Sequence, residues 1–281
     1  MAAWALALVL MLPAAGHAVS IGIATEPATL DPRFGTDAAS ARIQELVHCR
    51  LVRVDEKGLP QPMLAQSWRR LDPYTWRFLL RRGWRFADGR PVRAQDIAAT
   101  LNAARDPRLG SPLAAQLAEI AEIHAERDAL VVRARTPDPM LPVRLSVGVL
   151  PEEAAHAPPM PRHPPSCGPY RMISWNNGVI RLAKTGNAPR TAPEGIVFRV
   201  VPDPTTRALK LARGELDLIQ GDIPAHLVPF LRRRARIRLV ARPSLTFAYI
   251  GLTLRKPPLS DRRVRQALAM GIARKGLIEG L

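Results

Sequence analysis

FLLRRGWRFADGRPVRAQDI, residues 78–97, changes its hydropathy period twice in twenty positions. Tyr74 to Leu80 ahead of it is rich in aromatic and branched residues and predicts a strand. Gly83 and Asp88-Gly89 then bracket Trp84-Arg85-Phe86 with residues that tolerate positive φ, so a compact hairpin-like unit follows. From Ala94 the spacing becomes helical, with Ile97, Leu101 and Ala104 on one face. A strand, a tight turn and a helix in so few residues belong to a chain that layers helices on a sheet.

The same alternation extends in both directions. Upstream, Val19 to Thr25 reads as a strand, Leu30-Asp31-Pro32 as a turn, and Asp37 to Leu51 as a helix with Asp37 as its cap. Downstream, Ile120 to Ile123 and Ala129 to Ala134 predict short strands, and Ala154 to Pro165 a Pro-rich loop. Arg171 to Trp175 and Val179 to Ala183 flank Asn176-Asn177-Gly178, a strong hairpin signal. Ile196 to Val201, a helix over Thr205 to Ala212 and Leu216 to Gln220 suggest a βαβ unit, so part of the sheet is expected to be parallel. Gly214 is placed to end that helix, and Ser260 to cap a last one carrying Val264, Leu268, Ile272 and Ile278.

With 47% hydrophobic and 23% charged residues in 281 positions, the chain can bury a core of its own. The formal charge is +17, yet only five of its 41 basic residues are Lys. Such an Arg excess fits a compositional bias as well as an anionic partner, and aromatics at 5% leave little for base stacking. The basic run Arg232-Arg233-Arg234 follows Leu227, Val228, Phe230 and Leu231 and reads as the solvated end of a helix, where cations suit the dipole. No nucleic-acid partner is expected.

Trp4 to Pro13 is an apolar run too short to span a bilayer, and small residues ending Gly16-His17-Ala18 follow it. This pattern predicts a signal peptide over 1–18, cleavage after Ala18, and an exported, soluble chain, periplasmic or extracytoplasmic. Its departure from the usual form is the absence of Lys or Arg before the apolar run. Cys49 and Cys167 lie 118 residues apart without metal-ligand spacing. One disulfide is permitted in an oxidising compartment, and spacing leaves open whether the two meet.

No nucleophile elbow, phosphate loop, dinucleotide fingerprint or metalloprotease helix occurs, so no catalytic residue is expected. His156, Met160, His163 and Cys167 have soft-metal ligand chemistry, but five Pro interrupt the stretch, and it reads as a surface loop. No metal and no cofactor is expected.

Several of these segments together resemble the extracellular solute-binding proteins of ABC importers, of the dipeptide, oligopeptide and nickel class. Leu30-Asp31-Pro32 is similar to that family's opening; Gly58, Pro60, Pro62, Leu64-Ala65 and Ser67-Trp68 resemble its "G…P.LA.SW". Phe78, Leu80-Arg81, Gly83, Phe86, Asp88-Gly89, Pro91, Ala94 and Asp96-Ile97 look like "F.LR.g..F.dG.p..A.Dv". Gly168-Pro169-Tyr170 matches its GPY, with Ser166-Cys167 where Gly-Thr is commoner. Gly214-Glu215-Leu216-Asp217 and Asp261-Arg262-Arg263-Val264-Arg265-Gln266-Ala267-Leu268 resemble two later motifs.

The resemblance implies an α/β, periplasmic-binding-protein-like lobe with a mixed β-sheet, closing on its solute by hinge motion. Family members are considerably longer, so the second lobe is expected to be largely absent. The implied division is a signal peptide at 1–18, the first lobe at 19–245, and the crossover and start of the truncated second lobe at 246–281. The implied partners are a small peptide or other small solute and an ABC permease in the membrane. The segment after Leu30-Asp31-Pro32 borders the cleft in the family, which makes Phe34, Thr36, Asp37 and Ala38 the candidate ligand-binding residues. Helix capping is the competing role for Asp37. A non-transporting remnant or interaction module, and a basic protein binding anionic surfaces, are the alternatives.

Overall fold

A computed structural model describes residues 8–10, 18–221, 223–241 and 249–279. The described residues from 18 to 202 form one compact unit, and those at 8–10 and from 203 onward form another.

The larger unit contains a mixed sheet, as the alternating segments predict. Its opening strand Val19–Ile23 runs parallel to Gly195–Val200, with Ile21 opposite Phe198. Gly195–Val200 pairs antiparallel with Val179–Lys184, which pairs antiparallel with Tyr170–Asn176. The last pair is joined by the expected turn: Asn177 and Gly178 have φ of 49° and 69°, the left-handed region that Asn and Gly enter most cheaply. Ile196, Val197 and Phe198 are consecutive and all buried, so both faces of this strand are covered.

A second, wholly antiparallel sheet follows the order Ala65–Arg70, Thr75–Leu80, Ala129–Ala134, Ile120–Ala125. Ala65–Arg70 is a strand that alternation did not announce, because its charged residues and a register shift between Ala65 and Ser67 blur the period. It is held through Trp68, whose ring lies 6.2 Å from that of Phe78 on the neighbouring strand. The Trp84–Phe86 hairpin forms as expected, with Gly83 and Gly89 at φ of 93° and 92°. Helix α2, Ala94–Arg105, lays Ile97, Leu101 and Ala104 on this sheet, and together with Phe78, Leu130 and Val132 they make the main core. Ala99 on its other side meets Leu150, Ala154 and Ala155.

Helix α1, Ala38–Val47, buries Ala39, Ile43 and Val47 and begins at the Asp37 cap. It stops four residues short of the predicted Leu51. His48 turns into extended backbone, its ring buried, and Cys49 bonds to Cys167 with the Cα atoms 5.1 Å apart. The disulfide that the spacing left open is therefore formed.

In the smaller unit, helix Pro204–Ala212 is capped by Asp203 and ends before Gly214, at φ 77°. Ala208 and Leu211 pack on Leu216, Ile219 and Leu231. Strands Leu218–Gln220 and Arg238–Val240 each pair antiparallel with Leu8–Leu10. The remainder of the expected leader, at 1–7 and 11–17, lies outside the described residues. The Arg-rich run falls where expected, at the end of the short helix Val228–Arg232. The later helix, Arg262–Gly271, is capped by Asp261 and not by Ser260: the Asp261 carboxylate accepts the Arg263 N–H at 2.8 Å. No helix among the described residues is long and apolar enough to cross a membrane.

Candidate functional site

In open α/β sheets ligands bind beyond the carboxyl ends of parallel strands. The parallel pair here, Val19–Ile23 and Gly195–Val200, directs attention to the loop that leaves Ile23 and runs to α1. Thr25 and Glu26 are exposed at its start, and Thr36 and Ala38 are exposed at its end.

The middle of the loop is its anchor. Asp31 and Arg33 are both fully buried. Arg33 donates from Nε to Asp31 Oδ1 at 2.9 Å and from Nη2 to Asp31 Oδ2 at 2.6 Å, a bidentate fork. The remaining guanidinium hydrogens reach carbonyls of the Pro-rich loop, from Nη1 to Ala155 at 2.8 Å and to Ala157 at 3.1 Å. Asp31 accepts the Met160 N–H at 3.0 Å, and Leu30 N–H donates to the Pro161 carbonyl at 2.7 Å. Burial works to raise the Asp31 carboxyl, but the Arg33 hydrogen bonds and the Met160 amide outweigh it and hold it below the ordinary range.

Beneath the anchor lies His48, whose Nε2 is 2.9 Å from the Leu30 carbonyl. Since a carbonyl only accepts, the proton is on Nε2. Complete burial pushes the imidazole down from its ordinary 6.5 to about 4, so the ring is neutral at neutral pH. Gly168 closes the arrangement from the other side. A Cβ there would stand 2.4 Å from the Leu46 carbonyl oxygen, so the Gly of the GPY motif is required by close backbone approach.

The four residues singled out from sequence emerge from this anchor. Phe34 is half-buried, with the Arg33 guanidinium 5.5 Å from its ring centroid. Asp37 accepts from the Ser40 N–H at 2.8 Å and the Ala28 N–H at 3.3 Å, and also from the Ser40 hydroxyl. Burial works to raise its carboxyl, and these hydrogen bonds together outweigh it and hold it below the ordinary range. The carboxylate is thus engaged in closing the helix and tying it to the loop. Thr36 and Ala38 flank it with exposed side chains.

Three further residues border the same loop and carried no sequence signal. Trp175, only 4% exposed, donates from Nε1 to Glu26 Oε2 at 3.3 Å. The Arg162 guanidinium lies over the Trp175 ring, 4.8 Å from its centroid. Their partners are more than a dozen positions away, so only the hairpin that ends at Trp175 was visible beforehand. The surface offers carboxylate, guanidinium and aromatic groups. Among the described residues no group of three or more His, Cys, Asp or Glu could hold a metal. Cys167, once a conceivable soft ligand, is consumed by the disulfide.

Comparison with known proteins converges on one family. The chain is 26% identical to the periplasmic oligopeptide-binding protein OppA of Escherichia coli over 89% of its own length and 51% of the relative's. It is 27% identical to the glutathione-binding protein GsiB of Shigella boydii, over 93% and 53%. It thus spans about half the length of the curated relatives it matches. Among solved structures, the oligopeptide-binding protein AppA from Bacillus subtilis in complex with a nonapeptide superimposes with a TM-score of 0.80 at 20% identity, covering 95% of this chain and 56% of that one. NikZ from Campylobacter jejuni in complex with Ni(L-His) gives 0.77 at 20%, over 93% and 54%. The fold is therefore the expected α/β binding-protein lobe with a mixed sheet. Residues 60–281 match the middle region of the bacterial extracellular solute-binding proteins of family 5, and the chain belongs to that family.

Proposed function

We propose that the chain is the solute-binding component of an ABC importer, exported to the periplasm, where it binds a small peptide or a solute of similar size and delivers it to a membrane permease. The observation that carries this reading is the family match over residues 60–281. The site geometry supports it: a partly exposed segment, Phe34 to Ala38, rises from a buried anchor at the carboxyl end of the parallel strands, with Glu26, Arg162 and Trp175 beside it. Those groups suit reversible recognition of a polar solute and not bond cleavage. Peptides rank first because the relatives include an oligopeptide binder and a glutathione binder.

A binding pocket for a small molecule ordinarily buries most of the ligand's surface. Trp175 supplies the readout. Titrating the purified chain with di- to pentapeptides and with glutathione is expected to change tryptophan emission saturably, with half-saturation between about 10 μM and 1 mM, and Trp175→Phe to lose most of that change. No response to any of these solutes overturns the reading. Amino-terminal sequencing of exported material checks the leader, with Val19 expected first.

A further inference from the structure

A second concavity lies in the larger unit, along the strand Tyr170–Asn176. It encloses about 350 Å³ between the Asp88-Gly89 hairpin, the end of the Pro-rich loop and the first residues of that strand. This is within the range of small-molecule sites, ~300–1,000 Å³. Phe86, Pro164 and Met172 give it apolar walls. The hairpin and the loop are fixed to each other by the Ala87 N–H donating to the Ser166 carbonyl at 2.7 Å. The Cys49–Cys167 disulfide begins at the very next residue.

Its polar groups are unevenly committed. Asp88, the one carboxylate in the lining, accepts from the backbone N–H and Nε of Arg90 at 3.0 and 2.7 Å. Arg171 and His163 also line the cavity, and neither side chain has an ion pair or hydrogen bond among the described residues. Ser166 is 6% exposed, and its hydroxyl likewise has no such partner. The hydroxyl itself still reaches solvent, since it is not among the buried polar atoms left without a partner, and so it can donate to a ligand in the cavity. Ser166 also stands where the family pattern more often has Gly, so the hydroxyl is a feature of this chain and not of the fold. Guanidinium, imidazole and hydroxyl together form a donor set beside Asp88, whose carboxylate shares the Arg90 guanidinium with Glu153.

From this convergence we infer that the cavity is a binding site for a small organic carboxylate: its oxygens meet Arg171, Ser166 and His163, and its apolar body lies against Phe86 and Met172. The site is separate from the segment Phe34 to Ala38 and independent of the peptide reading.

The test is calorimetric titration of the purified chain with 3-phenylpropanoate, 3-phenylpropanol and inorganic phosphate. The carboxylate is expected to bind saturably, and the alcohol at least about tenfold more weakly, the worth of a charge-assisted hydrogen bond. Arg171→Gln is expected to weaken the carboxylate by about tenfold and leave the alcohol unchanged. Ser166→Gly, which restores the family's residue, is expected to weaken the carboxylate by a smaller factor, as is His163→Asn at an exposed position. Equal binding of acid and alcohol, or an Arg171→Gln chain that binds the acid as well as the parent, overturns the proposal. Phosphate binding as tightly as the acid overturns it too, by showing a bare oxyanion site. Because Trp175 is held by Glu26 and Arg162 and not by Arg171, the peptide response is expected to persist in Arg171→Gln, so the two readings fail separately.

Discussion

Leu30 to Arg33 and Phe34 to Ala38 are adjacent in sequence and opposite in character. The first four residues are fully enclosed, and two of them carry charge; the next five hold two exposed side chains and a helix cap. Charged residues after a strand ordinarily mark solvent, and in this loop they mark its most enclosed point. In the proposed reading the tip meets the solute, while the anchor's polar groups are committed to one another. A buried ion pair gives little net stability, but each member makes the other indispensable.

Breaking the anchor is expected to have the largest effect. Asp31→Ala leaves the Arg33 charge enclosed without its carboxylate and is expected to cost about 3–5 kcal/mol of stability, read as a lower urea midpoint. Asp31→Leu with Arg33→Met together is expected to recover part of that loss. Equal damage by the single and double variants would show that the pair is not the unit.

Removing the disulfide comes next. Cys49→Ala with Cys167→Ala frees a separation of 118 residues and is expected to cost about 4 kcal/mol. An unchanged midpoint under reducing conditions would count against the bond.

Acid separates the two regions further, through His48. Its folded pKa, about 4, lies below its ordinary 6.5. Between those values the unfolded chain takes up a proton that the folded chain refuses. Its contribution is complete above about pH 6.5 and falls by about 3 kcal/mol as the pH drops to 4. Denaturation between pH 7 and 4.5 is expected to show this slope, and His48→Gln to flatten it; the same slope in both chains sinks the assignment.

The caps of α1 and α2 sharpen the comparison on a smaller scale. Asp37 accepts hydrogen bonds at the start of α1, whereas Arg93 at the start of α2 offers no side-chain acceptor; only Asp96 reaches back, to the Arg93 N–H at 2.8 Å. Arg93→Thr is expected to raise stability by about 0.5–2 kcal/mol, and a lower midpoint would refute it. At the tip, Thr36→Ala is expected to change stability by less than about 0.5 kcal/mol while weakening solute binding. The reverse pattern would place Thr36 with the anchor.

How much of this was legible follows from where each signal resides. The Asn176-Asn177-Gly178 turn, Gly83, Gly89 and Gly214 announce themselves because a positive φ restricts which residue can stand there. Helix α2 is visible in its own spacing. The motifs, in order, were enough to name the family. Contacts over long separations were not visible: the disulfide, the reach of Arg33 to Ala155 and that of Trp175 to Glu26 span more than a hundred residues each. Local pattern has no access to them. The parallel partner of Gly195–Val200 is the opening strand, nearly the whole unit away in sequence, although the adjacent helix had pointed downstream.

The disulfide also sets a clock. Cys49 leaves a ribosome or a translocation channel well before Cys167, and the bond between them can close only in oxidising surroundings. Until then the Gly168 backbone, which packs against the end of α1, has no covalent tether to that helix. A chain held in a reducing interior therefore remains easier to unravel and thread through a pore. The same chain released on the far side is locked by a single oxidation, so the compartment determines when the fold becomes final.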